Sequence, residues 1–107
     1  MAVYLVQAGY TSQAWTALTK APEDRSIGLA KLCEAAGGRL LTLYYCFGEF
    51  DLAVLMEAPD DVSAAACVMA AVTAGHISRI QTTKLLTVAE AMEAMRKAGG
   101  MMYRGPQ

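Results

Sequence analysis

Charge is scarce in this sequence. Charged residues make up 18% of its 107 residues, the formal net charge is -1 and the pI is about 5.7. No basic surface is available for a polyanion, so a nucleic-acid partner is not expected. Histidine occurs once, and the three cysteines, Cys33, Cys46 and Cys67, form no CxxC or Cys/His pattern. That spacing argues against a structural zinc site. An odd number of scattered thiols indicates a reducing, cytoplasmic compartment. Long apolar runs are also missing: the longest, residues 64–74, is rich in alanine and too short to span a bilayer. The opening Met-Ala-Val-Tyr-Leu-Val has no basic segment before it, so neither a secretory signal nor a membrane partner is expected. No glycine-rich phosphate loop and no Ser-His-Asp pattern occurs, and no cofactor is expected.

Apolar side chains are abundant, at 55% of the chain. This excludes disorder. One small domain cannot bury so many apolar groups by itself, so a homodimer or higher oligomer is the expected outlet.

The punctuation of the chain predicts eight elements. Residues 3–8, short, apolar and rich in β-formers, read as a strand, and Thr11 or Ser12 caps the helix after it. That helix carries Trp15 and Leu18 and breaks at Ala21-Pro22-Glu23-Asp24, because proline is tolerated in a first helical turn but not in a helix interior. A second helical piece carries Ile27, Leu29, Leu32 and Cys33, and Gly37-Gly38 stops it. Residues 39–47 and 50–57 read as a β-hairpin about Gly48-Glu49. Ala58-Pro59-Asp60-Asp61 caps an alanine-rich helix read as buried, and Gly75 ends it. Residues 76–86 form a fourth strand, and Thr87-Val88-Ala89-Glu90 is a capping box for a last helix ending at Gly99-Gly100. The order is ferredoxin-like βαββαβ, α+β, with a four-stranded antiparallel sheet, a broken first helix and an extra C-terminal helix. One domain spans residues 1–100 and a loose tail spans 101–107.

The first and third strands are expected in the centre, parallel to each other. Gln7, Tyr10 and Glu57 would then share one end of the sheet with Arg39, His76 and Arg79, while Tyr44, Cys46, Asp51 and Lys84 collect at the other. With Gly48-Glu49 as the turn, Tyr44 faces Ala53 and Cys46 faces Asp51 on a mixed face. Leu43, Tyr45, Phe47, Phe50, Leu52 and Val54 line an apolar face under the helices. The mixed face is too apolar for water, so it meets a second subunit or encloses a ligand.

Two candidate bases follow. Asp51 opens an apolar strand, where a carboxylate needs partners. It either accepts backbone N–H groups near Gly48 or, with its pKa raised by burial, acts as a general base or anchor beside Tyr44 and Cys46. His76 either caps a helix end or, as the sole imidazole, serves as a general base. Arg79 could orient an anionic ligand or form an ion pair at the sheet edge. Cys46 has no basic neighbour in sequence to activate it. Met69, Met92 and Met95 are read as packing residues on helices.

The segment Tyr44-Tyr45-Cys46-Phe47-Gly48-Glu49-Phe50-Asp51, with Glu57-Ala58-Pro59-Asp60-Asp61 after it, resembles the GYD domain family. Pro22-Glu23-Asp24-Arg25, Gly37-Gly38-Arg39-Leu40 and Thr82-Thr83-Lys84-Leu85-Leu86-Thr87 extend the resemblance over residues 3–95. Phe50 stands where the family has its tyrosine, so no role of that phenol carries over. The resemblance implies a ferredoxin-like fold related to dimeric α/β-barrels, and no settled activity. The leading expectation is a homo-oligomer that binds a small, partly apolar molecule through Tyr44, Cys46 and Arg79. The alternatives are a cofactor-independent oxygenase or isomerase using Asp51 or His76, and a purely structural subunit.

Overall fold

A computed structural model describes residues 1–106. Strand β1 (Ala2–Tyr10) leads into α1 (Ser12–Lys20), capped by Thr11, whose side chain accepts the Ala14 N–H. Residues 21–24 separate it from α2 (Arg25–Ala35), where Asp24 is the cap. The chain continues through β2 (Arg39–Tyr45), β3 (Leu52–Ala58), α3 (Asp61–Thr73), β4 (Ile77–Leu85) and α4 (Val88–Gly99). Thr87 and Glu90 close a reciprocal capping box at the start of α4. The fold is thus ferredoxin-like α+β, with the helix break and the extra C-terminal helix in place.

The sheet order is β2-β3-β1-β4, and β1 is antiparallel to both β3 and β4. This corrects the expected parallel pairing of the first and third strands. A helical crossover joins parallel strands, so β1 runs with β2, and β3 runs with β4. Each unit inserts a strand between the two strands of the other. The C-terminal ends of β1 and β2 therefore meet the N-terminal ends of β3 and β4. Tyr44, Cys46 and Asp51 share an end with Tyr10, His76 and Arg79, whereas Arg39, Glu57 and Lys84 lie at the opposite end.

The hairpin register follows the expected alternation: Tyr44 opposes Ala53, Tyr45 opposes Leu52 and Thr42 opposes Leu55. The connection is wider than a two-residue turn, since the strands stop at Tyr45 and Leu52. The Cys46 N–H still donates to the Asp51 carbonyl at 2.9 Å. A register shift between Leu40 and Thr42 restores the pairing of Arg39 with Glu57.

One sheet face carries α1, α2 and α3. Its core joins Tyr4 and Val6 of β1, Val54, Met56 and Ala58 of β3, Cys33 of α2, and Ala64 and Cys67 of α3. Ala8 and Leu52 are buried beside it. Phe47 does not belong to this face: it stands wholly in solvent on the hairpin loop, and Tyr45 is 47% exposed. The alanine-rich helix is only partly buried, through Ala64 and Cys67. Met69, Met92 and Met95 are exposed, which corrects their reading as packing residues. Helical spacing marks one face of a helix but not what covers it. Helix α4 shows this most plainly, because none of its residues is buried. The projecting helix stretches the molecule to a radius of gyration of 17.2 Å, against about 13 Å for a compact chain of this length. Among the described residues, no helix is long and apolar enough to cross a membrane.

Candidate functional site

The reassigned sheet end lies where the β1–β3 ladder runs out. Its pairing stops at Ala8 and Leu52, which leaves the Tyr10 N–H beyond the last rung, and on the other edge the register with β4 slips between Gly9 and Tyr10. Asp51 receives it: Oδ2 accepts the Tyr10 N–H at 2.9 Å and the Trp15 indole N–H at 3.3 Å. The Asp51 N–H in turn donates to the Ala8 carbonyl at 2.9 Å. Asp51 thus joins the start of β3 to the end of β1 and to α1, and its backbone partner lies on β1 rather than near Gly48. Ser78 ties β4 to the same point, its hydroxyl donating to the Gly9 carbonyl at 3.1 Å. His76 contributes its carbonyl, which accepts the N–H of the cap residue Thr11 at 3.0 Å.

Trp15 stands edge-on to Tyr10, with ring centroids 5.3 Å apart, and Tyr45 leans on both at 6.4 and 6.2 Å. The Tyr10 hydroxyl lies near both Tyr45 and Arg25. Burial pushes the Tyr10 phenol up from its ordinary value, Tyr45 adds to the effect, and Arg25 opposes it. Sequence reasoning did not single out Trp15 or Arg25 as site residues. The available signals were a lone tryptophan four residues after a helix cap and a glycine, Gly28, inside a helix. A helix-interior glycine costs about 1 kcal/mol relative to alanine, and here the Arg25 guanidinium lies 3.8 Å from where a Gly28 Cβ would stand.

Beside this aromatic cluster, on the helix-bearing face, a groove of about 500 Å³ opens between α1 and α2 on one side and α3 on the other. Ala14, Ala17 and Leu18 of α1 and Leu29 and Leu32 of α2 form one wall, and Ala70, Ala71 and Ala74 of α3 form the other. Leu43, Leu52 and Ile77 make the floor. Small side chains on both helices create the space, since alanine leaves unfilled volume between helix and sheet. Polar groups reach the groove from Tyr10, Glu23, Arg25 and His76. Glu23 Oε1 and Arg25 Nη1 are 2.8 Å apart at its rim.

The proposed site residues therefore divide. His76 lines the groove, and Asp51 supports it from behind through Trp15 and Tyr10. Tyr44 is 68% exposed and sits opposite Ala53 on the helix-free face. Cys46 donates its thiol to the Phe50 carbonyl at 3.1 Å. The Arg79 guanidinium lies over the Phe50 ring, 5.5 Å from its centroid. The phenyl ring at the tyrosine position of the family pattern thus has a cationic partner.

At the opposite end, Arg39 and Glu57 form an ion pair at 3.2 Å, and Lys84 lies 3.0 Å from Asp61. Tyr4 donates its hydroxyl to Asp61 at 2.5 Å. That bond, with burial, pushes the Tyr4 phenol up to about 12 and, with Lys84, holds the Asp61 carboxyl below its ordinary value. Among the described residues, no three His, Cys, Asp or Glu side chains converge on a point that could hold a metal ion.

The GYD domain family matches residues 4–95. The chain belongs to the GYD domain family. No curated protein matches it in sequence. Among solved structures, this GYD domain is similar to TTHA0845 from Thermus thermophilus, with a TM-score of 0.54 and 15% identity over 82% of this chain and 96% of that one. It is also similar to FFRP-DM1, with a TM-score of 0.51 and 14% identity over 80% of this chain and 100% of that one. An uncharacterized NIPSNAP domain protein from Burkholderia xenovorans aligns with a TM-score of 0.51 and 14% identity, over 83% of this chain and 96% of that one. At these identities the likeness is one of fold.

Proposed function

We propose that this GYD domain is a homodimeric binding module for a small, partly apolar molecule, which it takes into the groove between α1, α2 and α3. The observation that carries the reading is the groove itself. It falls within the roughly 300–1,000 Å³ range of small-molecule sites, has apolar walls and floor, and gathers its polar groups at Tyr10, Glu23, Arg25 and His76. Binding is favoured over catalysis because the two candidate bases do not act together: His76 lines the groove, while Asp51 is occupied by the Tyr10 and Trp15 N–H groups. The helix-free sheet face supports the dimer. It presents Leu5, Ala53, Leu55 and Tyr44 without full burial, and self-association would cover the same patch on both copies. The three free thiols suit a reducing compartment.

Native mass spectrometry of the purified protein mixed with a panel of small neutral and ionic organic molecules tests both parts. The expected result is a dimer mass that gains one adduct per subunit, and an Ala71→Trp variant that stays dimeric but loses the adduct. A monomer contradicts the dimer, and adduct formation unaffected by the groove-filling substitution contradicts the groove.

A further inference from the structure

The polar groups at the groove are not equivalent. Arg25 is the only lysine or arginine among the lining residues, and Glu23 is the only carboxylate. The Arg25 side chain does not extend straight into solvent. It lies across the first turn of α2, over the space left by Gly28, close to Tyr10 and 2.8 Å from Glu23. The neighbouring carboxylate, Asp24, is not available to it. Asp24 Oδ1 accepts the Ser26 N–H at 2.9 Å and the Ser26 hydroxyl at 2.5 Å as the cap of α2.

Resting on the binding reading above, we propose that the ligand is an organic monocarboxylate with an apolar body, that Arg25 receives its carboxylate, and that Glu23 occupies that position when the groove is empty. Three observations support this. The Glu23–Arg25 contact is a single 2.8 Å contact between side chains 59% and 46% exposed, and exposed pairs of this kind are weak. A ligand carboxylate can therefore replace Glu23 at little cost and add a second hydrogen bond, since guanidinium and carboxylate match in a bidentate fork. The rest of the groove is built from Ala, Leu and Ile side chains, which suit an alkyl or aryl body. A second anionic group on the ligand would be stranded among them.

The test uses octanoate and its neutral counterpart 1-octanol as probes, with amide NMR shifts of Gly28, Leu29, Ala71 and Ala74 reporting on the groove. The wild-type protein should bind octanoate about tenfold more tightly than octanol, the scale of one charge-assisted hydrogen bond. Arg25→Gln should abolish that preference and leave octanol binding in place. Glu23→Gln should tighten octanoate roughly two- to fivefold, by removing the internal competitor, without changing octanol. Equal binding of the two probes, or a preference that survives Arg25→Gln, overturns the carboxylate proposal while the groove reading stands. Failure of both probes to shift the groove resonances overturns both readings.

Discussion

Asp51 shows how much a single side chain can hold together at the residue scale. It satisfies the Tyr10 N–H, which lies beyond the end of the β1–β3 pairing, and it fixes the indole of α1. Asp51→Ala should lower unfolding stability by about 1–3 kcal/mol, the range for leaving a buried donor without its partner. Asp51→Asn, which keeps an acceptor, should cost less. Urea denaturation of the two variants checks this order, and equal losses would contradict it. Asp61 makes the second residue-scale case, because its carboxyl lies below the ordinary 3.8, chiefly through the Tyr4 hydroxyl and then Lys84. A lowered carboxylate pKa stabilises the fold above the unfolded value, and the stabilisation is lost as pH falls through the folded value. Acid stability should therefore decline below about pH 3.8. In Tyr4→Phe the Asp61 resonance should titrate closer to 3.8 than in wild type, and coincident titration curves would remove the role given to Tyr4. Asp51 stood out in the sequence as a carboxylate opening an apolar strand. Its true partners did not, because Tyr10 lies 41 residues away and a pairing at that distance leaves no trace in local pattern.

Among the elements, the hairpin was the most legible. Centring the turn on Gly48-Glu49 placed Tyr44 against Ala53, and alternation supports that register, since one face of β3 is continuously apolar and a one-residue slip would turn it outward. The caps of α1, α3 and α4 were equally readable, because each needs a side-chain acceptor at a fixed offset from the first helical turn. The junction of α2 and β2 carries a constraint that only the fold reveals. Gly37 adopts φ +85°, and a Cβ on Gly38 would lie 1.9 Å from the Glu57 carbonyl oxygen. Gly38→Ala must push β2 away from β3, at about 3 kcal/mol, the upper part of the usual overpacking range. Gly37→Ala meets only the left-handed backbone penalty of about 1–2 kcal/mol. Thermal or urea melts should rank the two variants in that order. The reverse ranking would mean that the strand start is more pliable than the close approach implies.

On the scale of the whole molecule, strand direction decided where the chemistry lies. The order of elements was evident from capping and turn residues, but the pairing of β1 with β3 is a long-range choice. Reading it as parallel separated His76 and Arg79 from Tyr44, Cys46 and Asp51 and joined them to Arg39 and Glu57. With β1 antiparallel to both neighbours, the aromatic cluster, Asp51 and His76 gather at one end, and the groove opens beside them. Exposure followed the same logic. The methionines of α4 have helical spacing, yet the helix leaves the body of the domain and buries none of them. The central claim is that the alanine-walled groove, and not the helix-free sheet face, receives the ligand. Amide chemical-shift mapping with any small molecule that binds decides between the two faces. The largest shifts should fall on Ala17, Gly28, Leu29, Ala71 and Ile77; shifts concentrated instead on Leu5, Leu55 and Thr83 would contradict the account.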